Sequence, residues 1–450
     1  MQPWSEIVRD LQTNWPIYVS MPVIAGVIGW FTKIVAIRMM FRPHRFRGIG
    51  PLGWQGIIPR RAAEMVEVLC QTLTGRLISA GEIIDRIDGD DLAHRIDRPL
   101  RKEIAAIVPK VAAEYQPTVW NLLPGAGRDA VVQRVQEVAP AVIVEFILAL
   151  RENIDEVFDL KEMVTREFLE DPDILERMFL DVGRREFAFI RRSGLAFGFA
   201  IGVVQALIWA LFHEPLVMPI FGLFIGWFTD WAALRLIFEP KEPTRYLGLI
   251  TWQGLFLKHR IPVSEEYGVL IAGRVLTAER LVRSVLTGPG SERVAALLAP
   301  IIEETVREEM VDIDVVLRRE LRGLNSALGD MGDTVGTVFG ALTGAAKAPL
   351  RQVGSAGLSV AQVRPMCEAA AADLLAVLPD VLHPSTGHLD EVLDIRETMS
   401  AKMVAMTPDQ FEGVLRPAFQ QDERTLIVVG ALLGFLVGEL QVLLVEHLSR

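Results

Sequence analysis

Cysteine is nearly missing: the 450 residues hold only Cys70 and Cys367, too few and too far apart for a disulfide framework or a thiolate metal cluster. Tyrosine is scarce at 4 residues, and the stretches between the apolar runs lack the alternating Val/Ile/Thr/Tyr pattern that a sheet needs. Positive charge is in deficit. Lys and Arg total 46 against 57 Asp and Glu, for a net charge of -11, which argues against recognition of a phosphate backbone and against nucleic acid as a partner. Catalytic signatures are also missing. The chain has no H-E-x-x-H, G-x-S-x-G, G-x-x-x-x-G-K-[ST] or paired C-x-x-C, so no catalytic residue, metal set or cofactor is assigned and an enzyme is not expected. His383 and His388 read as part of a loop. Asp85, Asp88, Asp90 and Asp91 lack the full calcium-loop pattern and read as a solvated helix start.

What the chain has instead is apolar length. Hydrophobic residues make up 51% and mean hydropathy is +0.31, yet 23% of residues are charged, so membrane spans alternating with water-exposed regions fit best. Four runs are long enough for a hydrocarbon core of ~30 Å: residues 15–40, 193–212, 215–238 and 425–445. Only His213 and Glu214 separate the second from the third, which makes those two an antiparallel hairpin. The N-terminus has no basic n-region and no small-residue cleavage site, so a removable signal peptide is not expected.

The sequence also repeats itself. IGWFTKIVAIRMMFRP, Ile28–Pro43, returns as IGWFTDWAALRLIFEP, Ile225–Pro240, identical at nine of sixteen positions without a gap. Met21-Pro22 matches Met218-Pro219, and Trp54-Gln55-Gly56 matches Trp252-Gln253-Gly254. Further along, Gly194, Gly198, Gly202 and Gln205 correspond to Gly430, Gly434, Gly438 and Gln441. DEVFDLKEM at Asp155–Met163 likewise corresponds to DEVLDIRET at Asp390–Thr398.

The first copy, with Gly29, Thr32, Ala36, Ile37, Met39, Phe41 and Pro43 followed by Gly56-Ile57-Ile58-Pro59-Arg60-Arg61, resembles an uncharacterised family of bacterial membrane proteins, domain of unknown function 445. The second copy is looser, with Leu257 in place of Pro59, and Lys33 and Asp230 stand where the family commonly has Asn. The resemblance implies a membrane location and a mostly helical cytoplasmic portion, and no established activity.

The expected fold is an all-α membrane protein of two tandem parallel repeats, with four transmembrane helices and two helical cytoplasmic regions. Repeat 1 takes residues 1–212, with spans 15–40 and 193–212 around a helical region 44–190. Repeat 2 takes residues 213–450, with spans 215–238 and 425–445 around a region 241–423. The latter holds a glycine-rich insert at about 323–354, where glycines three to four residues apart line one helix face. Within these regions apolar residues recur at helical steps, as in Met65, Val68, Leu69, Leu73 and Leu77. Pro99, Pro109, Pro117, Pro124 and Pro140 are expected to cut the first region into moderate helices.

Basic residues cluster after spans one and three and before span two, which places both helical regions in the bacterial cytoplasm and both termini outside the inner membrane. The candidate intramembrane polar site is Lys33, Asp230, Glu439, Arg38 and Arg235. Lys33 and Asp230 hold the same position in the two copies, where opposite charges reduce the cost of burying each other. The segments after spans one and three mix aromatic and basic residues and read as interfacial elbows. Their candidate lipid contacts are Arg42, Arg45, Arg47, Trp54, Arg60, Arg61, Arg245, Trp252 and Lys258.

The expected function is non-catalytic: lipid binding or handling in the envelope, or a membrane-anchored scaffold. A transporter or channel using the polar residues in the spans is the alternative. Membrane lipids are the expected partners, with self-association or a membrane protein partner also open. Single cysteines introduced near Gly125 and near Pro300 should both react with an impermeant maleimide from the same face of the membrane; reaction from opposite faces would rule out parallel repeats.

Overall fold

The computed structural model describes residues 9, 12–13, 15–49, 52–123, 125–212, 214–246, 250–309, 360–416 and 423–448. The glycine-rich insert expected at 323–354 lies outside them. The chain forms two compact units, and each draws on both halves of the sequence. The first comprises Met1–Ile78, Lys161–Val275 and Ile395–Arg450; the second comprises Ser79–Leu160 and Leu276–Asp394.

The first unit contains four helices long and apolar enough to cross a membrane: Trp15–Phe41 (α1), Arg184–Phe212 (α2), Val217–Phe238 (α3) and Glu423–Leu448 (α4). They pair closely, α1 with α2 and α3 with α4, because glycines face each other at both crossings. A Cβ added at Gly29 would collide with the Gly194 carbonyl, and one at Gly198 with the Ala25 carbonyl. The other pair repeats this: Gly222 lies against Gly434, and Gly226 against Gly430. Helices in lipid gain little from burying apolar area against each other, so close backbone approach supplies much of the attraction. The glycine faces that left room for self-association thus close on partners within the chain. Between the pairs, Met21 meets Met218, and Ala25 and Ile28 meet Ile225, all fully or nearly fully buried.

Other faces of these helices are apolar and open. Val19, Leu207, Leu432 and Leu443 are more than half exposed, and Trp30 and Trp227, equivalent in the repeated motif, are 44% and 43% exposed. So extensive an apolar surface would aggregate in water and is satisfied by lipid.

After α1 the chain turns through a cis Arg42-Pro43 bond into a hairpin, Arg47–Ile49 (β1) with Leu52–Trp54 (β2). After α3 it turns through a cis Glu239-Pro240 bond into Thr244–Tyr246 (β3) paired with Ile250–Trp252 (β4). The all-α expectation missed these strands because three residues are too few for alternation to register. The elsewhere largely helical character holds.

Each elbow is held by the Trp-Gln-Gly triplet. Gln55 Nε2 donates to the His44 carbonyl at 2.9 Å and Gln253 Nε2 to the Lys241 carbonyl at 3.1 Å. Gly56 N donates to Pro43 O and Gly254 N to Pro240 O, both at 2.9 Å. A side chain at either glycine would strike the last residues of the preceding span.

Among the described residues, the second unit holds helices Ala80–Ile84, Gly89–Tyr115, Pro117–Leu122, Gly125–Val157, Ala278–Thr287, Val360–Leu382 and Thr386–Leu393, besides a helical stretch at 291–309. Asp88 caps the second of these, accepting from the backbone N–H of Asp90 and Asp91. The acidic turn is thus a helix start, with Asp85 paired to Arg151 at 3.3 Å and Asp91 to Arg95 at 2.8 Å. Pro99, Pro109 and Pro140 lie inside long helices of 27 and 33 residues rather than ending them. Burial explains the difference: Leu92, Ile96, Leu100, Ile104 and Val111 continue one apolar stripe past both prolines of the first helix, and this packing outweighs each lost hydrogen bond. Cys70 and Cys367 are free and buried in separate units, and burial lifts the Cys367 thiol to about 11.

Gly29→Val or Gly226→Val should destabilise the protein by about 1–3 kcal/mol or more through overpacking at the crossings. Gly273→Ala, at a helical glycine with open space around it, should be neutral or slightly stabilising; thermal unfolding in detergent separates the two outcomes.

Candidate functional site

Lys33 and Asp230 meet. Both are buried, at 1% and 5% exposure, and the ammonium pairs with Asp230 Oδ1 while also donating to Thr229 Oγ1 at 2.9 Å. Helical geometry brings them together: equivalent positions on α1 and α3 face one another at the same depth. Glycines make the room, since a Cβ at Gly430 would overlap the Asp230 carboxylate and one at Gly194 would press on Lys33 Cγ. Asp230 Oδ2 has no hydrogen-bond partner, and the same is true of Nε2 of the buried Gln205 and Gln441. A buried pair of this kind is costly to desolvate, and removing one partner leaves an uncompensated charge.

The other three members of the candidate polar site stand apart from this pair. Arg38 and Arg235 are exposed. Arg235 pairs with Glu239 at 2.8 Å and lies 5.4 Å from the centroid of the Trp231 ring. Glu439 is exposed on α4, beside the buried Gly438 that faces Pro219, so the helix turns it away from the packed seam.

Among the candidate lipid contacts, Arg45, Arg47, Arg60, Arg245 and Lys258 are exposed, Arg42 is largely so, and Arg61 is half-buried beside Glu64. The two tryptophans do more than rest on an interface. Trp54 Nε1 donates to the Met39 carbonyl at 3.1 Å, and the half-buried Trp252 ring lies 5.8 Å from that of Phe189.

One cluster was not read as a site: Asp173 and Glu176 recur as Asp409 and Glu412 in the sequence, but their meeting with His44, far away in the chain, leaves no local pattern. His44, Asp173 and Glu176 bring three ligand atoms within 4.8 Å of one another, with His44 Nε2 3.0 Å from Glu176. The corresponding residues in the second half are Lys241, Asp409 and Glu412, where the lysine ammonium pairs with both carboxylates, at 2.8 Å for Glu412. These carboxylates raise the Lys241 pKa by hydrogen bonding first and charge second. In the second copy this is an ion pair and in the first a His44–Glu176 contact, and each latches the elbow to the helix at Pro408–Leu415 or Pro172–Val182.

The second unit holds an apolar cavity. Its volume is about 100 Å³. Its 21 lining side chains come from six helices and from the connections that carry Ile87 and Phe158, and are all Ala, Val, Ile, Leu or Phe. Ile147, Leu150, Leu281 and Leu378 form its buried wall, while Ile84, Ile87, Val282 and Val285 are only half-buried. Such a space has no group to polarise a substrate. It is suited to an apolar chain.

Fold and site together define a helical membrane protein with a buried charge pair between its spans and an apolar cavity in a separate helical unit. Residues 23–171 match the family model described as Protein of unknown function (DUF445). The chain is 26% identical to a UPF0754 membrane protein from Nostoc sp. over 30% of its length and 38% of the relative's. It is 25% identical to one from Gloeothece citriformis over 39% of its length and 46% of the relative's. A third, from Synechococcus elongatus, is 36% identical over 19% and 20% of the two chains. These matches therefore span less than half of each relative. They support assignment to an uncharacterised membrane-protein family carrying a domain of unknown function, as the repeated motif implies. No solved structure matches the chain.

Lys33→Met or Asp230→Leu alone should cost about 3–5 kcal/mol in stability, because either leaves a buried charge unpaired. The double variant Lys33→Met/Asp230→Leu should recover most of that loss, read as melting temperature and folded yield in detergent.

Proposed function

We propose that this chain is a non-catalytic, multi-pass protein of the bacterial inner membrane that binds lipid acyl chains in its second helical unit. The observation that carries the reading is the cavity lined by 21 apolar side chains and no polar one. A cavity lined only with alkyl and phenyl groups is a poor home for water, which needs two to four polar partners, and a good one for methylene groups. The half-buried Ile84, Ile87, Val282 and Val285 mark the side from which a chain enters.

The membrane unit is then an anchor built from two parallel repeats, with both helical stretches cytoplasmic and both termini outside. Three features support the duplication. The matched glycine crossings recur in both span pairs, the Trp-Gln-Gly elbows close in the same way, and Lys33 and Asp230 hold equivalent positions. The lopsided flanking charge supports the orientation.

Transport past the charge pair is the second reading. It is favoured by the unpartnered Asp230 Oδ2 and weakened by the engagement of Lys33 with both Asp230 and Thr229.

The full-length protein purified in mild detergent should carry acyl lipid, detected by extraction and mass spectrometry, and should bind a fluorescent polyene fatty acid. Ile147→Trp and Val285→Trp, which fill the cavity, should lower that binding by about tenfold or more, the loss of roughly two buried methylenes' worth of contact. Wild-type protein without lipid and without affinity for the probe would overturn the reading.

A further inference from the structure

A second cavity, in the membrane unit, points to a ligand of different chemistry. It lies at the end of α1 and admits a water-sized sphere over about 320 Å³. Its walls are mostly apolar, with Ile34, Phe41 and Leu180 among them, and three arginines reach it: Arg38, Arg42 and Arg191. Glu176 is the one carboxylate there. That carboxylate is already engaged, 3.0 Å from His44 Nε2 and 3.7 Å from Arg42 Nε. Arg38 and Arg191 are exposed and form no ion pair among the described residues.

The corresponding place at the end of α3 supplies an internal comparison. Its cavity, of about 240 Å³, is lined by the equivalent positions Trp231, Leu234, Arg235, Phe238 and Glu239, together with Arg416 and Glu423. Here every arginine is spoken for. Arg235 pairs with Glu239 and lies over Trp231; Arg416 pairs with Glu412 and lies 5.9 Å from the centroid of the Phe238 ring. Where the first copy has Arg42 the second has Glu239, and where the first has Ile34 the second has Trp231. One copy therefore neutralises its own cations, and the other leaves a surplus of guanidinium beside an apolar wall.

We propose that the cavity bounded by Arg38, Arg42 and Arg191 binds the headgroup of an anionic glycerophospholipid, its phosphate between the guanidiniums and an acyl chain along Ile34 and Phe41. The charge complementarity is direct: planar guanidinium donors match phosphate oxygens in bidentate fashion. The position also fits, because the end of a span is where headgroups lie. The proposal rests on the membrane reading of α1 to α4 and is independent of the apolar cavity in the helical unit.

The test uses the full chain in nanodiscs and in detergent, with native mass spectrometry of phosphatidylglycerol and phosphatidylcholine adducts. Wild-type protein should retain phosphatidylglycerol over phosphatidylcholine. R38Q/R191Q should lose that preference by about tenfold or more, as expected for two basic residues at an anionic lipid. R235Q/R416Q, in the second cavity, should change it by less than about twofold, its cations being internally paired. R38K/R191K should keep part of the preference, since it retains charge without the bidentate fork. Equal losses from the two glutamine pairs, or an undiminished preference in R38Q/R191Q with an unchanged melting temperature, would overturn the proposal. Ile147→Trp separates the two readings: it should lower acyl binding in the helical unit while leaving the phosphatidylglycerol preference intact.

Discussion

The membrane unit depends on how closely its helices approach. Backbones that touch at Gly29 and Gly194, and again at Gly226 and Gly430, bring α1 against α2 and α3 against α4. In lipid that contact substitutes for the hydrophobic drive that assembles helices in water. The same glycines serve the charge pair. Gly194 leaves space for the Lys33 stem and Gly430 for the Asp230 carboxylate, so the ammonium and carboxylate reach each other without displacing a side chain. Two structural costs, a helix-weakening glycine and a buried charge, are thereby settled at one place.

The elbows carry this order beyond the ends of the apolar helices. Trp54, Gln55 and Gly56 each make a different contact with the end of α1 or the turn after it: an indole hydrogen bond to Met39, an amide hydrogen bond to His44, and a backbone approach to Phe41 and Arg42 that excludes any Cβ. The Glu176 and Glu412 latches then fasten each elbow to a later helix through His44 and Lys241. The residue three positions before the hairpin's first strand, His44 or Lys241, thus has a structural task. The two cavities at the ends of α1 and α3 sit beside these latches, and the charge difference between them comes chiefly from Glu239 standing where the first copy has Arg42, with Arg191 lining the first cavity and Glu423 the second.

Much of the membrane unit was legible in the chain. The four apolar runs, the repeated motif and the offset between copies placed the spans, and the shared position of Lys33 and Asp230 anticipated their contact. The remaining candidate polar residues were not, because a charge within or near a span does not say which face of the helix it occupies. Glu439 and Arg235 turned out to be exposed for that reason. Proline spacing misled for a related reason. Pro99, Pro109 and Pro140 disfavour helix locally, but continuous burial of Leu92, Ile96, Leu100 and Ile104 on one side, and of Ile143, Phe146 and Ile147 on the other, outweighs a few lost hydrogen bonds.

The sequence by itself determined that this protein enters the membrane, roughly where it does so, and that its parts come in matched copies, because hydropathy, helical period and self-similarity are properties of residue order. Only the tertiary structure decided that the apolar faces of six separate helices enclose one cavity, that the interleaved segments 79–160 and 276–394 form one unit, and that three arginines from two spans and the turn after the first share a pocket. Those facts depend on which residues distant in the chain become neighbours, and no local pattern records that.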